Sequence, residues 1–161
     1  MERKEKLSQD LQHLLMEIGE KSALFMLYVK VVKDSEWEVY QNLSESGCDL
    51  VLLNPQNNDK IKVEVKTRQR LYTTSLKNVS RVQFTVTEKE YESCDFVVAY
   101  WWDRNYFFVV PKNDLTPTSS NNERLYRYLV NERVDKSLND EGAKFLGKWD
   151  LIIDRMNIKD K

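Results

Sequence analysis

The segment Ile61-Lys62-Val63-Glu64-Val65-Lys66 alternates without a break between aliphatic and charged side chains. A period of two is the period of a strand; a helix could not bury Ile61, Val63 and Val65 together while exposing the residues between them. The segment therefore predicts a strand with one face on a core and the other carrying Lys62, Glu64 and Lys66. Ahead of it stand Gly47, then residues 49–53 as a nearly continuous apolar run behind Asp49, then Asn54-Pro55-Gln56-Asn57-Asn58-Asp59, which is turn chemistry. Folding the chain about Gln56 and Asn57 gives a hairpin that sets Asp49 level with Glu64, with cross-strand Cβ atoms about 5 Å apart. Two carboxylates at that separation can share one hard cation, and Lys66 lies on the same face as Glu64.

Other elements follow from periodicity and punctuation. Residues 7–33 repeat apolar side chains at helical spacing (Leu11, Leu14, Leu15, Ile18, Phe25, Met26, Val29, Val32), and Ala23, Leu24, Leu27, Tyr28 and Val31 add a second stripe. The second half of this helix is thus expected to lie between the sheet and another body, such as a partner subunit. Glu20 heads the second stripe, where a carboxylate either reaches solvent or faces a site. Residues 37–42 predict a first strand, residues 82–86 a short strand, and residues 96–101 with 106–110 a hairpin stopped by Pro111. Thr87-Glu88-Lys89-Glu90 has the pattern of a capping box, which places a short helix from Glu88 to about Ser93. Residues 111–122 read as a linker, Ser120-x-x-Glu123 as the cap of a helix running to about Arg133, and residues 141–149 as a further turn or helix. Lys159-Asp160-Lys161 is expected to fray.

At 161 residues the chain suits one domain able to bury a core without disulfides. Its core would span residues 7–111, with a helical extension over about 120–155. Cys48 and Cys94 have no partner spacing, and His13, the sole histidine, sits in the charged start of the helix. Histidine-zinc motifs and a Ser-His-Asp triad are thereby excluded. With no apolar run of membrane length and a charged N-terminus, the expected location is cytoplasmic.

The net charge of −1 conceals an asymmetry: residues 60–81 hold seven basic side chains (Lys60, Lys62, Lys66, Arg68, Arg70, Lys77, Arg81) against Glu64 alone, leaving −7 elsewhere. A local basic run on an acidic protein suits phosphate backbone, which points to nucleic acid through Lys62, Arg68, Arg70, Lys77 and Arg81. Glu64-x-Lys66 by itself fits a salt-bridged strand face equally well. Asp49 on the neighbouring strand and the basic run downstream favour a cation held against a phosphodiester.

Gly47-x-Asp49, followed by Val63-Glu64-Val65-Lys66-Thr67-Arg68 and preceded by Gly19-Glu20 in the first helix, resembles the PD-(D/E)XK nuclease superfamily. The resemblance is greatest to archaeal Holliday-junction resolvases and small bacterial resolvase-like endonucleases, and it covers about residues 15–70 by motif. It implies an α/β (α+β) restriction-endonuclease-like fold with an α-β-β-β-α-β core, Mg²⁺ dependence with Mn²⁺ able to substitute, and action on duplex or branched DNA, as a homodimer. It also implies Asp49, Glu64 and Glu20 as metal ligands with the Val65 carbonyl, and Lys66 as the catalytic lysine. Glu17 is the alternative to Glu20. Cys48 replaces the motif's proline, and no glutamine-bearing helix directly follows Lys66, Gln69 and Gln83 being the nearest substitutes. The rival expectations are a non-catalytic nucleic-acid-binding or assembly module on the same fold, and a soluble protein whose carboxylates only solvate a sheet face.

Overall fold

A computed structural model describes residues 7–44, 47–69 and 80–158 of the chain. Helix α1 (Gln9–Leu27) starts at Ser8, whose hydroxyl accepts from the Leu11 amide, and runs on as a π-helical segment, Tyr28–Val32. Gly19, Ala23 and Leu27, four apart, form its buried stripe. Glycine is required in that stripe: a Cβ at Gly19 would lie 1.7 Å from Thr67 Oγ1. The helix backbone thus rests directly on the sheet.

Strands β1 (Glu38–Gln41), β2 (Leu50–Leu53) and β3 (Lys60–Arg68) form an antiparallel meander. The turn between β2 and β3 sets the expected register, Leu50 opposite Val63 and Leu53 opposite Lys60. Strand β4 (Ser80–Thr87) then leaves this sheet, and α2 (Glu88–Glu92) leads into β5 (Phe96–Trp101), which pairs parallel to β3. With β6 (Tyr106–Pro111) the first sheet reads β1-β2-β3-β5-β6. Every residue of β5 is buried, as a strand covered on both faces requires. The α-β-β-β-α-β core is present, with β4 inserted between β3 and α2.

The C-terminal part departs from expectation. Residues 111–122 are not a linker: they carry a 3₁₀ turn and β7 (Thr116–Ser120). Residues 123–132 are not a helix but β8 (Glu123–Glu132), and the second sheet has the order β4-β8-β7. Two physical causes act here. Asn121 and Asn122 both have positive φ, +52° and +64°, a backbone that asparagine tolerates and that closes two-residue hairpins. The following residues bury alternate side chains, Tyr126, Tyr128 and Val130, so the true period is two. Ser120 and Glu123 are therefore hairpin residues rather than a helix cap. The helical part of the extension is α3 (Asp140–Phe145) and α4 (Asp150–Met156).

Two cores result. One lies between the first sheet and α1, the π-helical segment and α4; the other lies between the two sheets, around Phe84, Trp101, Phe108 and Tyr128. Each fully buried large side chain in them contributes on the order of 2 kcal/mol. Tyr100, Trp101, Phe107 and Phe108 are core residues, and Trp102 is exposed. On α1, Leu14, Ile18 and Phe25 face solvent, as does Val29 in the π-helical segment, while Leu24 and Leu27 pack inward. Among the described residues no helix is long and apolar enough to cross a membrane.

Candidate active site

The site forms where β2 begins and β3 passes beside it. Gly47, at φ +97°, turns the chain into β2. The Asn42 side chain then donates to the Cys48 carbonyl at 2.7 Å, while its amide donates to the Asp49 carbonyl at 2.8 Å. With its own backbone held, Asp49 accepts through Oδ2 from the Val65 amide at 2.8 Å and donates its amide to the Val63 carbonyl at 3.1 Å. The carboxylate thus sits across from Glu64, as the hairpin register demands. Asn42 gave no signal in the sequence; its role appears only when β1 lies beside β2.

Glu64 points to the side of β3 opposite α1 and is only 4% exposed. Its Oε2 is buried and has no hydrogen-bond partner, whereas Oε1 lies 3.6 Å from the Lys66 Nζ. Burial raises the Glu64 pKa, and the nearby carboxyl groups of Glu90 and Asp49 raise it further, against the opposing pull of Lys66. A carboxylate oxygen desolvated in this way is costly as an anion unless positive charge is delivered to it.

Glu20 stands on α1 next to Gly19, so the close crossing of helix and strand carries it toward the start of β2. It is half-buried, and burial, followed by the charge of Asp49, raises its pKa, while a hydrogen bond with Gln41 acts against the shift. Gln41 also accepts from Lys21 at 2.5 Å, which ties this turn of α1 to β1. Glu17 is exposed one turn earlier, whereas Glu20 is half-buried and close enough to Asp49 to feel its charge.

The structure adds Glu90, which the sequence reading passed over as a helix-capping residue. The capping box does form: the Thr87 hydroxyl accepts from the Glu90 amide at 3.2 Å, and Glu90 Oε1 accepts from the Thr87 amide at 2.9 Å. The remaining oxygen, Oε2, accepts from Lys66 Nζ at 2.6 Å. Burial works to raise the Glu90 pKa, but the adjacent Glu64 carboxyl together with the hydrogen bonds from Lys66 and Thr87 holds it below the usual carboxylate range.

The basic residues divide. Lys62 is exposed on the β3 face that carries Glu64 and Lys66. Arg68 closes β3 and donates to the Thr67 carbonyl. Arg81 is exposed on the outer face of β4, away from the β3 face. Arg70 and Lys77 lie outside the described residues.

The donor set fits a hard divalent cation of the Mg²⁺ type, which binds through one or two carboxylates and keeps several waters. Asp49 and the orphaned oxygen of Glu64 provide such a pair. Among the described residues no three carboxylate, histidine or cysteine side chains close into a ready-made cage, so the rest of a coordination shell falls to water, phosphate or the Val65 carbonyl.

No family model matches the chain, and a search of curated proteins finds no match. Among solved structures the chain is similar to a bacterial homing endonuclease, I-Ssp6803I, with a TM-score of 0.60 at 18% identity over 89% of this chain and 91% of that one. It also aligns with Hjc, a Holliday junction resolvase from the archaeal hyperthermophile Archaeoglobus fulgidus, with a TM-score of 0.46 at 13% identity over 70% of this chain and 81% of that one. The mixed five-stranded sheet, the flanking helices and the match along nearly the whole of the homing endonuclease identify the chain's architecture as the restriction-endonuclease-like nuclease fold.

Proposed function

We propose that the protein is a Mg²⁺-dependent endodeoxyribonuclease that hydrolyses phosphodiester bonds in duplex or branched DNA. The observation that carries this reading is the meeting of Asp49, Glu64 and Lys66 at one point of a nuclease fold, with an unpartnered Glu64 oxygen at its centre. Asp49 and Glu64 would hold the cation with the Val65 carbonyl, and Glu20 would join the set only by closing in from α1 when the ion binds. A divalent ion bound there polarises a phosphoryl oxygen and lowers the pKa of a bound water.

The chain's own groups account for the remainder of the chemistry. Lys66 places an ammonium beside Glu64, where it stabilises negative charge developing on the phosphorane and orients the attacking water. Lys62 on the same face, with Arg68 at the end of β3 and the basic residues Arg70 and Lys77 that follow it in the sequence, would supply backbone-phosphate contacts that fix the duplex without reading its sequence, whereas Arg81 on the outer face of β4 is left out of this set. A homodimer would cut both strands through two such sites, consistent with the exposed apolar side chains of α1.

The experiment is cleavage of supercoiled plasmid, linear duplex, single strand and a four-way junction with Mg²⁺ or Mn²⁺, and with EDTA. Wild type should cut at least one duplex or branched substrate in Mg²⁺ and none in EDTA, and Asp49→Ala and Lys66→Ala should each lose about 100-fold or more. If the wild type is as inactive as the variants on every substrate and calorimetry detects no Mg²⁺ binding, the reading is wrong.

A further inference from the structure

We infer that Glu90 is a positioning residue of this cleavage site, acting through Lys66, and that the second sheet holds it in place; the inference rests on the nuclease reading above. Lysine has four rotatable side-chain bonds, and fixing them costs up to about 2 kcal/mol in lost rotamer freedom. Something must therefore hold the Lys66 ammonium where the phosphate arrives. Glu64 alone holds it loosely, at 3.6 Å. Glu90 holds it at 2.6 Å, and its own carboxylate is already fixed, because Oε1 is occupied by the Thr87 amide. One carboxylate thus closes a helix cap with one oxygen and aims the other at Lys66. Both side chains are mostly buried, 19% and 25% exposed, so solvent screens the pair far less than it would on an open surface.

The position of Glu90 depends in turn on α2, and α2 has five residues, too few to be helical by itself. It is anchored from outside. The Tyr91 ring stacks on Tyr126 of β8 with centroids 3.7 Å apart and planes 6° from parallel. Lys112, just after β6, lies 5.1 Å from the Tyr91 ring centroid and donates to the Tyr91 carbonyl at 3.4 Å. Arg124 of β8 pairs with Glu88 at 3.9 Å and lies over Tyr126. The physical chain of contacts therefore runs from β8 through the Tyr126–Tyr91 stack and α2 to Glu90, and ends on Lys66. This gives the second sheet a place in the chemistry.

Single-turnover cleavage by wild type, Glu90→Ala, Glu90→Gln, Lys66→Ala and the double variant Lys66→Ala/Glu90→Ala tests the inference. Glu90→Ala should lower kcat about 10- to 100-fold, the usual cost of losing a group that orients a site residue, with KM for DNA within about twofold. Glu90→Gln should recover part of the rate, since its amide oxygen can still accept from Lys66, although the amide NH2 that then faces the Thr87 N–H cannot accept and the cap is weakened. The double variant should be no slower than Lys66→Ala, because a residue that acts only through Lys66 has nothing left to position. A second readout needs no turnover. In protein carrying ¹⁵N-lysine, the Lys66 ammonium signal, assigned by its loss in Lys66→Ala, should be protected in wild type and exchange-broadened in Glu90→Ala. Thermal melting of Thr87→Ala, which removes the cap but leaves the Glu90 side chain, sets the level of merely structural damage. If wild type cleaves and Glu90→Ala cleaves equally well, or if the two single effects multiply in the double variant, this inference falls and the nuclease reading stands. If wild type cuts nothing, both fall.

Discussion

Replacing Gly19 with alanine should destabilise the protein, although the same change at an open helix position stabilises by about 1 kcal/mol. The reason is the crossing of α1 over β3. An added Cβ would meet Thr67 Oγ1 at 1.7 Å, its Cβ at 2.8 Å and its Cγ2 at 3.0 Å. Rotating Thr67 about χ1 removes the first contact but not the second, because the Thr67 Cβ is fixed by the strand, and Thr67 itself is only 5% exposed. Helix and strand must therefore move apart. Overpacking of this severity costs about 3 kcal/mol; set against the propensity gain, the net loss is about 2 kcal/mol, a fall in Tm of roughly 4–8 °C for a chain of this size. Urea unfolding followed by tryptophan fluorescence measures it. The partner change Thr67→Gly opens the space, so in that background Gly19→Ala should become stabilising. A higher urea midpoint for Gly19→Ala with Thr67 intact would refute the reasoning. Glu20 rides on the displaced turn, so cleavage by Gly19→Ala should also slow when assayed well below its Tm.

Other outcomes follow from the same geometry. Arg155 of α4 donates to both oxygens of Asp59 at 2.9 and 3.1 Å, and these hydrogen bonds lower the Asp59 pKa. A depressed carboxylate pKa adds stability above the unfolded value of 3.8 that is lost as pH falls through the lower folded value. Asp59→Asn should therefore cost about 0.5–1 kcal/mol at pH 7, a modest figure because the pair is partly exposed, and the gap from wild type should close in urea titrations below pH 3.8. At the β7–β8 turn, Asn122→Ala should destabilise by about 1–2 kcal/mol because φ is +64°, while Asn122→Gly should be neutral or stabilising; a helix there would reverse that order. Thr87→Ala should cost about 1 kcal/mol through loss of the cap, and denaturant midpoints would show it.

The hairpin of β2 and β3 was legible because its pattern is local: Ile61, Val63 and Val65 alternate with charges, and the 54–59 turn fixes the register. The Thr87 capping box was legible for the same reason. Residues 123–132 misled because Ser120 and Glu123 satisfy a helix-cap pattern as well as they flank an Asn-Asn turn. What decides between them is the packing of Tyr126 and Tyr128 against Phe84, Phe108 and Tyr91, which come from elsewhere in the chain. At the site, Asp49, Glu64 and Lys66 could be aligned from strand period and the 54–59 turn, whereas helix phase left Glu20 either reaching solvent or facing a site, and only the family resemblance assigned it a role. Glu90 could not, since its meeting with Lys66 depends on how far α2 is carried over the sheet, a distance set by the Tyr91–Tyr126 stack. Asn42 is similar: nothing in residues 37–42 announces a side chain that will pin Cys48.

The insertion of β4 between β3 and α2 bears on when a working site can exist during folding. Lys66 belongs to a strand whose parallel neighbour begins at Phe96, and the helix that carries Glu90 follows a strand whose partner, β8, ends at Glu132. Such pairings close long loops and form slowly compared with local hairpins. The β2–β3 hairpin can bring Asp49 and Glu64 together early, but Lys66 acquires its full surroundings only after most of the chain has been organised. On the proposed nuclease reading, a partly folded or emerging chain would hold the acidic pair without the arranged lysine, and competence to cut would arrive late, together with the closing of the second sheet.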